Sequence, residues 1–148
     1  MNNLKISNTD KTLFYGKSYK YLKGSILAIY VLFMLAYIFR QNLYRLDNYY
    51  ITLFAWTAPN LVPSFLFTLI GVFYIVPILF KTTYAISNSK FIWFINVLNM
   101  SIFALIEYLH VIFNLGVWDN KDMIASLIGI IVATIIYFKF RKSFIEKL

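Results

Sequence analysis

Most long stretches of this sequence are too apolar to face water. Four runs, about residues 22–39, 61–80, 91–113 and 122–140, carry almost no charge. About 20 mostly apolar residues suffice for a helix to cross the hydrocarbon core of a bilayer. No water reaches the backbone there, so every N–H and C=O must be satisfied within the fold, and a helix does this within one segment. The chain is 61% hydrophobic and 14% charged, where a soluble domain is nearer half and a quarter. Four such runs in 148 residues leave little sequence for a polar surface. The predicted fold class is all-α: a polytopic membrane protein of four transmembrane helices, forming a single integral membrane domain over residues 1–148.

The net charge of +8 would suggest nucleic acid in a soluble protein. Here the basic residues flank apolar runs, which points to orientation in a membrane and to no nucleic-acid partner. Counted over alternate segments, eleven Lys and Arg fall with the two termini and the 81–90 loop, and three with the other loops. The positive-inside rule then places both termini in the cytoplasm. Residues 1–21 are expected to be a short basic cytoplasmic tail. The first run is followed by bulky, charged "FRQNLYRLDNYY", not a small-residue cleavage site, so it is expected to be a retained helix. The first outer loop, about residues 41–60, contains "NYYITLFAWTAPN". It is too apolar for a free loop, and its Tyr and Trp suit the headgroup level, so a partly apolar interfacial loop is expected. Asn60 suits an N-cap for the second span, with Pro63 tolerated in its first turn.

The third run carries a polar stripe. At 100° per residue, Asn96, Asn99, Glu107, His110 and Asn114 share an arc of roughly 80°, with Phe103 among them. Most of the rest of that helix is apolar. Glu107 lies six residues inside the span, roughly 9 Å below its outer boundary at 1.5 Å per residue. A bare carboxylate there is costly and demands a proton, a partner or a wet cavity. His110, one turn above, and Arg40, at the outer end of the first span, are the candidate partners. Two readings stand side by side: an interhelical polar clasp of Glu107, His110 and Arg40, or a functional site.

Small residues mark the other helices. Asp122, Ala125, Ser126, Gly129 and Ala133 share one side of the fourth run, and Ser64, Thr68 and Gly71 one side of the second. Small residues let membrane helices approach closely, so Ser64, Thr68, Gly71, Ser126, Gly129 and Ala133 are expected packing positions. Asp119 and Asp122 stand at the start of the fourth helix, where carboxylates cap the first turn and complement the macrodipole. The topology brings Arg40, Asn60, Glu107, His110, Asp119 and Asp122 to the outer side, where one polar pocket roofed by Tyr- and Trp-rich loops is expected.

The segment "EYLHVIFNLGVWDNKDMIASLIG" resembles the VanZ-like family of small bacterial membrane proteins. That family shows Glu-x-x-Gln near the end of a membrane helix, a short loop, then Asp-x-x-Asp and a small residue with Gly at the start of the next helix. Glu107 matches the glutamate, Asp119 and Asp122 the aspartates, and Gly129 the glycine. His110 stands where glutamine is usual, and the arginine often found in the loop is missing from "NLGVWD". The resemblance covers the C-terminal third, and the remainder only in hydropathy. It implies a multi-pass protein of the bacterial cytoplasmic membrane with a cell-envelope role and an effect on glycopeptide susceptibility.

Three functional classes remain open on the sequence. The first is a non-enzymatic protein whose outer pocket binds membrane lipid or a lipid-linked cell-wall intermediate. The second is an intramembrane enzyme with Glu107 or His110 as acid and base. The third is a small proton-coupled transporter, which with four helices would need a homodimer. There is no cysteine, no H-E-x-x-H and no Ser/His/Asp spacing. No catalytic constellation, metal or cofactor is therefore expected.

Overall fold

The structure, a computed structural model of the chain, describes residues 17–80, 88–115 and 118–145. The expected tail up to residue 16, Lys81, and Gly116 and Val117 of the "NLGVWD" loop lie outside the described residues. All the regular structure described is helical: α1 (Lys17–Ile38), the short α2 (Arg40–Tyr44), α3 (Tyr49–Ile70), a π-helical turn (Gly71–Ile75), α4 (Val76–Phe80), α5 (Ser89–Ile112) and α6 (Asn120–Ile145). Residues 17–21, expected in the tail, already belong to α1.

Three helices are long and apolar enough to cross a membrane: Tyr49–Phe80, Ser89–Ile112 and Asn120–Arg141. They mark a membrane protein. The apolar part of α1 is shorter, Gly24–Ile38. Their outward faces are largely apolar: Trp93, Phe94 and Val97 on α5 and Ile124, Ile128 and Ile135 on α6 are all exposed. Lipid tails suit such faces as water does not.

The second span corrects the expectation of an interfacial loop over residues 41–60. Helix begins at Tyr49, and α3, the π turn and α4 form one rod of 32 residues. Its N-cap is Asn48, whose Oδ1 accepts from Tyr50 N at 3.0 Å and Ile51 N at 3.3 Å. Asn60 is therefore interior to the helix, not its cap, and Pro59 and Pro63 lie within it. A proline cannot donate to the carbonyl four residues earlier. For Pro59 that acceptor is Ala55 O, and the Tyr44 hydroxyl donates to it at 3.5 Å. Pro77 follows the π turn, whose end is closed by Val76 N donating to Gly71 O.

The rod is the centre of the bundle: 61% of its most apolar window is buried, against 28% for α5 and 33% for α6. It meets α6 along much of its length, α5 less extensively, and α1 and α2 on another side. The tightest point is Gly129 of α6. A Cβ there would collide with Ser64 Oγ and the Leu61 carbonyl, and would sit 3.1 Å from Phe65 N. Around it Ala125, Ser126 and Ala133 of α6 and Ser64 and Thr68 of α3 are buried. Gly71 is the second such place, where a Cβ would come within 2.8 Å of Ile95 Cγ2. Toward the other end of the bundle Leu22, Ile26, Leu69, Phe73, Ile92 and Tyr137 join the apolar core.

Gly129→Ala is expected to force α3 and α6 apart and lower stability by about 1–3 kcal/mol, the usual range for overpacking. Ser64→Ala should not rescue it, because the Leu61 carbonyl remains in the way. Thermal unfolding of the single and double variants in detergent checks both statements.

Candidate functional site

The polar stripe of α5 is turned inward over its first two-thirds. Asn96, Asn99 and Glu107 are all buried. Asn99 Nδ2 donates to Ser64 O at 2.7 Å and to Thr68 Oγ1 at 2.8 Å, tying α5 to α3. Asn96 Nδ2 donates to Thr134 Oγ1 at 2.9 Å, tying α5 to α6. Thr134 in turn donates to Ile130 O at 2.8 Å. Beyond Glu107 the stripe opens outward: His110 and Asn114 are exposed.

Asn114 has a different job from the one its place on the stripe suggested. It adopts φ 54°. Its N–H donates to Val111 O at 3.2 Å, and Leu115 N donates to His110 O at 2.9 Å. This is the Schellman pattern, with asparagine in the left-handed position that ends a helix. Asp119 caps the next helix, its Oδ1 accepting from Lys121 N at 2.8 Å. Asp122 lies in the first turn of α6, half-buried.

These contacts fix the relative heights of the helices. Asn99 lies level with the 64–68 turn of α3, and Glu107 is eight residues further along α5, or about 12 Å. That brings Glu107 level with residues near Ala58 and Asn60 on the antiparallel α3. The Asn96–Thr134 bond, carried eleven residues along, brings it level with about residue 123 on α6. The Gly129 contact agrees, aligning the 58–60 part of α3 with about residues 124–126 of α6. Glu107, Asn60, Asp122 and Ser126 therefore share one layer of the bundle.

Glu107 is 5% exposed, and among the described residues no hydrogen bond or ion pair holds its carboxylate. Three other polar atoms, Ser126 Oγ, Asn96 Oδ1 and Asn99 Oδ1, are fully buried without a hydrogen-bond partner, which the Glu107 oxygens are not. Buried polar atoms of this kind are few in native proteins and call for a reason.

Among the described residues, no three His, Asp or Glu side chains are placed to hold a metal ion, and the expected clasp is not made, since Glu107 forms no ion pair with His110 or Arg40. His110 is exposed while Glu107 is buried. The azimuth of His110 lies between those of the buried Asn99 and Asn96, so the difference comes from its place in the last turn of α5, where every residue from 108 to 115 is exposed. Arg40 is held on another face of α3: its Nε donates to Tyr44 Oη at 2.8 Å. It lines a small recess with Ala55, Ala58 and Pro59. Lys121 lies over the Trp56 ring, 4.5 Å from its centroid, and Trp118 Nε1 donates to Asn120 Oδ1 at 2.8 Å.

Sequence reasoning placed Asn99 on the stripe without seeing that its amide reaches the Ser64 carbonyl. It also missed Tyr44 altogether, whose only signal was a tyrosine followed fifteen residues later by a helix-interior proline. Compared with protein-family models, characterised proteins and solved structures, the chain finds no match.

Asn99→Leu is expected to lower stability by about 1–2 kcal/mol, the upper range for interhelical hydrogen bonds in membranes. Ser101→Ala should leave stability unchanged, since the Ser101 hydroxyl is exposed and bonds only Val97 O of its own helix at 2.8 Å. Unfolding titrations of both variants in mixed micelles distinguish the two.

Proposed function

We propose that the chain is a multi-pass protein of the bacterial cytoplasmic membrane, with four spans and both termini in the cytoplasm. Its Glu107 layer receives the polar headgroup of a membrane lipid or lipid-linked cell-wall intermediate from the outer side, without chemical conversion. The observation that carries the reading is Glu107 itself: a residue 5% exposed in an apolar span, whose carboxylate makes no hydrogen bond or ion pair among the described residues. A carboxylate at such depth is a functional candidate by default. Ser126 in the same layer adds a hydroxyl without a hydrogen-bond partner, and Trp56 and Trp118 lie near the same end with the amphipathic character of headgroup-level residues.

The resemblance of the 107–129 segment to the VanZ-like family supports a cell-envelope setting and an effect on glycopeptide susceptibility. Acid–base chemistry or proton-coupled transport through a Glu107–His110 pair is less favoured, because His110 is exposed and makes no hydrogen bond or ion pair with Glu107.

A single cysteine at position 107 of this cysteine-free chain is expected to react with a membrane-impermeant thiol reagent added outside cells. Cysteines at lipid-facing Val97 and core Ile95 should stay silent. Silence at 107 in folded protein would remove the outward pocket. Glu107→Gln is expected to abolish any change in teicoplanin tolerance that the wild-type chain confers, at equal abundance in the membrane. Unchanged tolerance would remove the role of the carboxylate.

A further inference from the structure

The face of α3 away from α5 carries a second feature that the Glu107 layer does not involve. The first apolar run stops at Arg40, and the chain turns through α2 into α3. Leu35, Ala36 and Phe39 of the α1 end, Leu43 of α2, and Tyr50, Ile51 and Phe54 of α3 enclose an open groove of about 490 Å³. That is within the ≈ 300–1,000 Å³ of small-molecule clefts. Its walls are apolar except for the Tyr50 hydroxyl. Ala36, Leu43 and Phe54 also line the adjoining recess that holds Arg40, with Tyr37, Ala58 and Pro59. Arg40 therefore lies in a recess that shares a wall with the groove.

Arg40 is oriented but not neutralised. Its Nε donates to Tyr44 Oη at 2.8 Å, and its guanidinium carbon lies 5.4 Å from the Tyr44 ring centroid. Tyr44 is anchored in turn at Ala55 O, the carbonyl that Pro59 leaves without its helical donor. Among the described residues neither a carboxylate nor any other acceptor engages the two terminal nitrogens of Arg40. A planar fork of free donors fits the oxygens of a phosphate better than a point charge would. Half-burial against apolar walls weakens competition from water for that contact.

One molecule supplies both an apolar chain for the groove and an anion for the fork. We propose that this cleft binds one anionic glycerophospholipid, an acyl chain lying between α1 and α3 and the phosphate on Arg40. A neutral apolar occupant, such as the helix of a second copy, would leave the oriented charge without a counterion.

The test is native mass spectrometry of the full chain, released from detergent micelles holding equal amounts of phosphatidylglycerol and phosphatidylcholine with identical acyl chains. The wild-type chain is expected to retain one phosphatidylglycerol in preference by about tenfold: both lipids offer a phosphodiester, but the choline cation of phosphatidylcholine opposes the approach of Arg40 by a charge interaction of that scale. Arg40→Gln, which keeps a donor for Tyr44 and removes the charge, should abolish the preference. Arg45→Gln, at an exposed arginine nearby, should keep it. Ala36→Leu, which keeps Arg40 but crowds both the groove and the adjoining recess, should reduce retention of both lipids. Equal retention of the two lipids by the wild-type chain, or an equal loss of preference in Arg45→Gln, overturns the proposal. So does a dimer that excludes lipid and dissociates on Ala36→Leu, which would assign the groove to a second copy. If Arg40→Gln does not fold, Ala36→Leu decides alone, unchanged retention overturning the proposal.

Discussion

The arrangement depends on one close backbone approach, where Gly129 of α6 meets the 61–65 turn of α3. Helices within lipid gain little from hiding apolar surface from one another, since lipid tails are as apolar as leucine. They associate by contact density and by hydrogen bonds, and both require short separations. Gly129 supplies the separation, and Ser64, Ala125, Ser126 and Ala133 extend it along the seam. Once α6 is seated, Thr134 stands where Asn96 reaches it, and the opposite edge of Ser64 is open to Asn99. The Asn96 hydrogen bond thus follows from the small residues: a larger residue at 129 would displace the helix that carries its acceptor, Thr134.

The helix at the centre is also the one with the most interruptions. Pro59, Pro63 and Pro77 each remove a backbone donor from the rod. In water the orphaned carbonyls would be solvated, but in hydrocarbon they need protein partners or local rewinding. Tyr44 reaches the Ala55 carbonyl from α2, although 3.5 Å is long for such a bond. Ahead of Pro77 the rod rewinds into a π turn, and Gly71, which opens it, lets Ile95 of α5 lie against the backbone. The irregular stretches thus fall where another helix is close enough to help.

The run lengths in the sequence were enough to establish helices, and the α5 stripe was enough to foretell that Asn96, Asn99 and Glu107 turn inward. The small-residue positions on α3 and α6 could be read because glycine and serine are conspicuous among Ile, Val and Leu. What could not be read was of two kinds. Asn60 before Leu61 looked like a helix start, because prolines usually sit at such boundaries. The true cap, Asn48, precedes ten residues whose aromatic character reads equally well as interfacial loop. The second kind was partnership. Arg40, His110 and Glu107 fall at one end of the bundle by topology, yet height alone says nothing about azimuth. The structure assigns Arg40 to the α1 side of α3 and leaves His110 exposed.

That separation changes the meaning of the carboxylate-rich segment near the C-terminus. Its charges do not form one electrostatic unit. Asp119 serves the first turn of α6, and Asn114 ends α5, so neither of these polar residues needs a ligand to explain it. Glu107 is different, because neither capping nor pairing among the described residues accounts for a carboxylate at 5% exposure. Replacing a structural clasp by a leucine would cost the sequence little and spare it the desolvation of a charge. A buried carboxylate without a clasp is harder to explain as stability alone. It shares its level with Asn60 and with Ser126, whose hydroxyl is buried without a hydrogen-bond partner, so neither capping nor interhelical pairing explains why that layer is polar.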